Sequence, residues 1–291
     1  MIVLDGKKTA IALKEEIKLT VDKRINDGKK IPHLAAVLVG NDGASLTYVG
    51  SKVRSCEQIG IKSTLIHLDE TISENELLQK ITQLNNDDSL DGYIVQLPLP
   101  EHINEEIILL AIDPRKDVDG FHPSNFGRMA LEMNSFIPAT PYGIMELLKR
   151  YKIETSGKHC VVIGRSHIVG RPISILMSQK GPYGNATVTV AHSRTENIKV
   201  LTRSADIIVS ALGIPEFLKA DMVKQDVVII DVGITRVPDT SHPKGYLIKG
   251  DVAYEEVARK AYAITPVPGG VGPMTIAMLL KNTLLACERR D

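Results

Sequence analysis

Short, unbroken apolar runs alternating with amphipathic stretches constrain this chain more than any other feature. HLAAVLVG (33–40) is apolar after its first residue, as a strand must be when a parallel sheet is covered on both faces. A helical pattern starts near Gly43, and STLIHL (63–68) reads as a second strand. SENELLQKITQLN (73–85) is an amphipathic helix in which Ser73 is the N-cap and Glu76, three residues on, completes a capping box. DGYIVQLPLP (91–100) is a third strand halted by two prolines, and NEEIILLAI (104–112) is a helix ended by Asp113-Pro114. This βαβαβ order predicts a parallel sheet with helices on both faces.

The rhythm lapses over 113–141, DPRKDVDGFHPSNFGRMALEMNSFIPATP, where Pro, Gly and Asn are frequent. A loop of that length inside a compact protein is more often functional than a plain linker. The alternation then resumes with the helix PYGIMELLKRY and the strands HCVVIG (159–164), ATVTVAH (186–192), ADIIVSA (205–211), DVVIIDVG (226–233) and AYAIT (261–265). A last helix, from about Gly272 to Glu288, follows PVPGGVGP. The expected architecture is α/β with two α/β domains, the second a Rossmann-type parallel sheet. The C-terminal helix is expected to return to the first domain, which gives domains of 1–140 plus 272–291 and 141–271.

Thirty-five basic residues balance thirty-five acidic ones, so no net field attracts nucleic acid or an anionic membrane. No apolar run approaches the ~18 residues of a membrane span. Cys56, Cys160 and Cys287 are scattered and odd in number, which argues against a disulfide framework and fits a reducing compartment. The opening MIVLDGKKTAIALKEEIK lacks a basic segment followed by an apolar core, so a cytoplasmic protein is expected. Histidines at 33, 67, 102, 122, 159, 167, 192 and 242 show no HxxxH spacing, and no metal is assigned.

The strand HCVVIG runs into GRSHIVGRP and a helix, so Gly164, Arg165 and Ser166 form a glycine turn where a pyrophosphate meets backbone N–H groups. The spacing from Gly164 to Gly170 is not GxGxxG, and the same segment also reads as a structural tight turn. The next strand ends in AHSRT, where an acidic residue would suit the free ribose of NAD. Ser193 and Arg194 instead offer a hydroxyl and a cation, as the 2′-phosphate of NADP requires, and Arg165 could join them. Ile234, in DVGITR (231–236), lies at the end of the fourth strand, on the ligand-binding edge of such sheets.

On the early helix, Leu46, Val49, Val53 and Cys56 form an apolar stripe, with Tyr48 and Lys52 about 40° apart on its shoulder. A lysine at that margin is partly desolvated, which lowers its pKa and suits it to proton transfer. The same pair also reads as a half-exposed aromatic beside a solvated lysine. Gln96 ends an otherwise apolar strand, where it could instead cap a sheet edge. Asp119 sits in KDVDGFHP, where it could simply close an Asx turn. His122 and His192 lie close by, with a bystander role preferred.

YVGSK, DGYIVQLPLP, DPRKDVDGFHP, TPYGI, GRSHIVGRP, ATVTVAHSRT and PVPGGVGPMT occur in that order from residue 48 to residue 275. Together they resemble the bifunctional methylenetetrahydrofolate dehydrogenase/methenyltetrahydrofolate cyclohydrolase family. Two departures stand out: PATP, with Ala139, where the family often has a cysteine, and DVGITRVPD, where an Asn often accompanies the Arg. Neither touches a residue the chemistry needs.

The resemblance implies oxidation of 5,10-methylenetetrahydrofolate with NADP⁺, then hydrolysis of the methenyl cation to 10-formyltetrahydrofolate. It implies that Lys52 transfers protons, that Gln96 holds it and the attacking water, and that Tyr48 orients folate and lysine. By the same resemblance Asp119 accepts hydrogen bonds from the pterin, and Val95 and Leu97 supply wall contacts. Pro268, Gly269, Gly270, Val271 and Gly272 let the chain approach the ligand closely. Tetrahydrofolate one-carbon derivatives are the expected partners, with a homodimer and no nucleic acid. A short-chain dehydrogenase also uses a Tyr-x-x-x-Lys pair, but there the pair follows the nucleotide turn. A non-catalytic NADP sensor would have lost Lys52 or Gln96.

Overall fold

The computed structural model describes residues 1–241 and 245–291; His242, among the histidines considered above, lies outside the described residues. The chain opens with β1 (Ile2–Val3) and α1 (Gly6–Asn26). Strict alternation follows: β2 (His33–Val39), α2 (Gly43–Gln58), β3 (Lys62–Leu68), α3 (Glu74–Asn85), β4 (Gly92–Val95) and α4 (Glu105–Ala111). Next come α5 (Pro123–Ala130), α6 (Ala139–Arg150), β5 (His159–Ile163), α7 (Gly170–Ser178), β6 (Thr187–Ala191), α8 (Ile198–Ser204), β7 (Ile207–Ser210) and β8 (Val227–Asp231). The last elements are β9 (Thr235–Pro238), β10 (Tyr246–Lys249), α9 (Tyr254–Val257), β11 (Ala261–Ile264) and α10 (Val271–Glu288).

Two compact units result. One comprises Ile11–Ala139 and Ile276–Asp291 and holds a three-stranded parallel sheet in the order β3-β2-β4. Its central strand β2 is buried from Leu34 to Val39, as its uninterrupted apolar sequence demands. Val37, Leu77, Ile81, Tyr93 and Ile108 are its fully buried core. The capping box at α3 forms: Ser73 Oγ accepts from Glu76 N and Glu76 Oε2 from Ser73 N. The later part of α10 belongs to this unit, where Asn282 Nδ2 donates to the carbonyls of Val118 (2.8 Å) and Ile137 (2.9 Å).

The other unit, Met1–Ala10 and Thr140–Thr275, holds a six-stranded sheet in the order β1-β11-β8-β7-β5-β6, parallel throughout. The first ten residues differ from expectation, which put them with the other unit. β1 adds to the edge at β11, Leu4 N donates to Ile264 O, and Lys7 N to Gly269 O. The antiparallel β9–β10 hairpin and α5 were not anticipated. Strands β6 and β7 flank β5 on opposite sides, so the chain reverses direction between β5 and β7, where open sheets take ligands at their carboxyl ends.

Candidate active site

Asp42 caps α2 by accepting from Ser45 N at 2.7 Å. The helix then buries Ser45, Val49, Lys52, Ser55 and Cys56 along one face. This corrects the stripe expected from sequence: Leu46 is 39% exposed, whereas Lys52 is 4% exposed. The lysine is therefore a member of the buried face, not of its shoulder. Its Nζ donates to Gln96 Oε1 at 3.1 Å and lies 4.9 Å from the centre of the half-buried Tyr48 ring. Gln96 is fixed in turn, donating N to Val37 O (2.9 Å) and Nε2 to Leu97 O (2.7 Å). With its amide nitrogen so engaged, Oε1 faces the amine. Val95 is buried and Leu97 half-buried beside it.

Lys52 makes no ion pair among the described residues. Burial drives its ammonium below the ordinary lysine range, against the opposing pull of Asp119 and Cys56. Burial also pushes the Asp119 carboxyl up, with Lys52 opposing. The Cys56 thiol is raised to about 12 by burial, which leaves it protonated and inert.

The Asx-turn role open to Asp119 belongs instead to Asp117. Its buried carboxylate accepts from the backbone N–H groups of Gly120, Phe121 and His122 and from Asn125 Nδ2. Gly120 must be glycine: its φ is +75°, and a Cβ would stand 2.7 Å from Pro138 N. Asp119, half-buried, receives no hydrogen bond among the described residues, which leaves both its oxygens open to a ligand. His122 is the N-cap of α5, its Nδ1 accepting from Ser124 N at 3.0 Å.

In the six-stranded unit the pairing of Ile163 with Ala191 sets the Gly164 turn beside the His192–Thr195 corner. Gly164 has φ +117°, and a Cβ there would lie 2.3 Å from Ala211 O; one on Gly170 would lie 2.2 Å from Gly164 O. The turn thus closes tightly on itself and on the chain after β7. Ser166 Oγ accepts from Val169 N and Gly170 N, which leaves its hydroxyl proton available to an anion. Arg165, Ser166, Ser193 and Arg194 are exposed on this edge. His192 shapes the corner, its Nδ1 accepting from Arg194 N.

Ile234, read from sequence as a cofactor residue, joins the expected substrate residues Pro268–Gly272 around one pocket of about 170 Å³. Sequence reasoning missed two buried carboxylates, Asp231 (3% exposed), which lines this pocket, and Asp251 (0%), whose backbone N–H donates to it. An acid closing the apolar run DVVIID was the available signal. Burial pushes the Asp231 carboxyl up to about 7, with backbone N–H donors opposing and Asp251 adding to the rise. A carboxyl whose pKa is higher folded than unfolded (~3.9) adds stability at low pH, and that contribution is lost as pH rises through about 7. Asp231→Asn should therefore flatten the pH dependence of the unfolding free energy, by on the order of 4 kcal/mol between about pH 4 and 7. Denaturant titrations at several pH values test this, and a variant slope equal to wild type would refute it.

Among the described residues no His, Cys, Asp and Glu cluster could hold a metal ion, and no helix is long and apolar enough to cross a membrane.

Comparison with known proteins was made against this geometry. The model of the tetrahydrofolate dehydrogenase/cyclohydrolase catalytic domain matches residues 4–119, and that of the family's NAD(P)-binding domain matches 138–291. The bifunctional protein FolD of Flavobacterium johnsoniae is 71% identical over 291 residues, spanning 100% of this chain and 99% of the relative. Among solved structures, bifunctional FolD from Campylobacter jejuni is 48% identical with a TM-score of 0.94 and full coverage of both chains. The Trypanosoma brucei methylenetetrahydrofolate dehydrogenase-cyclohydrolase, complexed with NADP cofactor and inhibitor, is 36% identical. Its TM-score is also 0.94, over 100% of this chain and 98% of that one.

Proposed function

The chain belongs to the tetrahydrofolate dehydrogenase/cyclohydrolase family, and on that premise we propose how its own residues carry the two reactions. It oxidises 5,10-methylenetetrahydrofolate with NADP⁺ to the 5,10-methenyl cation, then hydrolyses that cation to 10-formyltetrahydrofolate. Bound NADP⁺ supplies the hydride acceptor. The folate nitrogens push electrons out of the methylene bridge, so oxidation asks the protein chiefly for positioning. Hydrolysis asks for a proton-transfer group, and Lys52 carries it. The amine is buried and pairs with no acid among the described residues, so its neutral form is accessible and can take a proton from the attacking water. Gln96 aims it, and Tyr48 keeps its ring against it. Asp119 accepts hydrogen bonds from the amino group and ring N–H of the pterin, an edge that matches a carboxylate. Val95 and Leu97 wall the substrate, and Pro268–Gly272 give it close backbone approach.

Gly164, Arg165 and Ser166 hold the phosphates, Ser193 with Arg165 the 2′-phosphate, and Ile234 the nicotinamide side. The turn fits this group because Ser166 retains a donor, and Gly164, with no Cβ to strike Ala211 O, lets the turn close on the chain after β7. Of the two expected domains, the folate role falls to residues 11–139 with 276–291 and the NADP role to 140–275, to whose sheet residues 1–10 add β1. A cytoplasmic homodimer that binds no nucleic acid completes the reading. It is supported by the balanced charge and by the family resemblance.

The buried Lys52, its Nζ 3.1 Å from Gln96 Oε1, carries the proposal. A 340 nm assay with methylenetetrahydrofolate, run separately with NADP⁺ and NAD⁺, tests it; NADP⁺ should be the better acceptor, and no reduction of either would refute it. Arg165→Ala or Ser193→Ala should raise the KM for NADP⁺ about tenfold or more, the worth of a hydrogen bond to a charged group. The folate KM should barely move. Equal rises in both would relocate the 2′-phosphate site.

A further inference from the structure

Asp231 and Asp251 form no ion pair among the described residues, although both are buried. Buried carboxylates without a cationic partner are costly, so their persistence calls for a use. Each spends its oxygens on backbone at the carboxyl end of the six-stranded sheet. Asp251 Oδ2 accepts from Leu212 N (2.6 Å) and Ser210 Oγ (3.3 Å), and its Oδ1 from Ile214 N (3.0 Å). Asp231 accepts from the N–H groups of Gly233 (3.0 Å), Asp251 (2.9 Å) and Val252 (3.0 Å). The two carboxylates act in series: Asp231 seats the backbone of Asp251, and Asp251 gathers the chain that leaves β7.

That chain borders the reversal point between β5 and β7. Ala211 N donates to Ile163 O at 2.8 Å, and Ala211 O is the atom that forbids a Cβ on Gly164. The glycine turn therefore rests on residues whose next N–H groups have no strand partner and are held by Asp251. A second glycine records the same tightness: a Cβ on Gly233 would meet Asp251 Oδ1 at 2.3 Å.

We propose that Asp251, seated by Asp231, is a positioning residue for the nucleotide, fixing residues 210–214 as the support on which the Gly164 turn presents its phosphate donors. The proposal rests on the NADP reading above and names a residue that need not touch the ligand.

Asp251→Asn tests it. The amide keeps one acceptor and turns a donor toward one of the N–H groups that the carboxylate served. Calorimetric affinity for NADP⁺ alone should fall tenfold or more. The KM for NADP⁺ should rise likewise, while that for methylenetetrahydrofolate moves less than twofold. Ser210→Ala removes a single donor to Oδ2 and should shift NADP⁺ affinity two- to fivefold in the same direction; it decides the matter if Asp251→Asn fails to fold. Wild-type NADP⁺ affinity in a folded Asp251→Asn, or in Ser210→Ala where that variant decides, overturns the proposal, as would equal rises in both KM values. Wild-type protein that binds no NADP⁺ would instead sink the cofactor reading and this proposal with it.

Discussion

Lys52→Met is expected to slow hydrolysis of the methenyl cation by at least ~10²-fold, the usual worth of a positioned proton-transfer group, while NADP⁺-dependent oxidation largely survives. Methionine matches the lysine stem in length and suits the buried face that Ser45, Val49 and Cys56 form. It removes the amine with little disturbance of packing, and thermal stability should hold. The charge leaves a site where burial already disfavours it. The wild-type pH profile should carry the same signature. In the proposed mechanism hydrolysis needs the neutral amine, so its rate should climb with pH through a transition below the ordinary lysine range, and Lys52→Met should lose that limb. Stopped-flow decay of methenyl absorbance reads both effects. A variant that hydrolyses at the wild-type rate would remove Lys52 from the mechanism.

Asp119→Ala is expected to raise the KM for folate by one to two orders of magnitude in both reactions. Two hydrogen bonds to a carboxylate are worth ~1.5–3 kcal/mol or more. Because no described residue donates to Asp119, its loss orphans no backbone group among them and the fold should be indifferent. Asp117→Ala supplies the contrast. It strands the N–H groups of Gly120, Phe121 and His122 together with Asn125 Nδ2, so it should lower the melting temperature as well as activity. If Asp119→Ala destabilised as strongly as Asp117→Ala while sparing the folate KM, the pterin assignment would fail.

The two aspartates, two residues apart, show where sequence stops being informative. Both precede or flank a tight Gly turn, and only the fold decides which one faces backbone. Periodic segments were legible because their signals are local: the β2 run, the Ser73–Glu76 capping box and the glycine turn after β5 all appear where their residues predict. Lys52 was legible as a partly desolvated amine but not as part of the buried face. Spacing along one helix gives an angle, not what packs on it, and here Gln96, 44 residues away, completes the environment. The same limit hid Asp231 and Asp251, whose partners lie 2 to 41 residues off. It also hid β1, a two-residue strand that exists only because β11 offers an edge.

The unit built on the three-stranded sheet takes its last piece from residues 276–291. As the protein emerges from the ribosome, Val118 and Ile137 must wait for Asn282, which is made some 145 residues after the nearer of them. The stretch from Ile11 to Ala139 is thus completed only by residues 276–291. The intervening residues 140–275, apart from the partners supplied by residues 1–10, are all available before the tail leaves the exit tunnel. For a nascent chain of this design, the period of greatest vulnerability to proteases and to association with neighbours belongs to the half built on the three-stranded sheet.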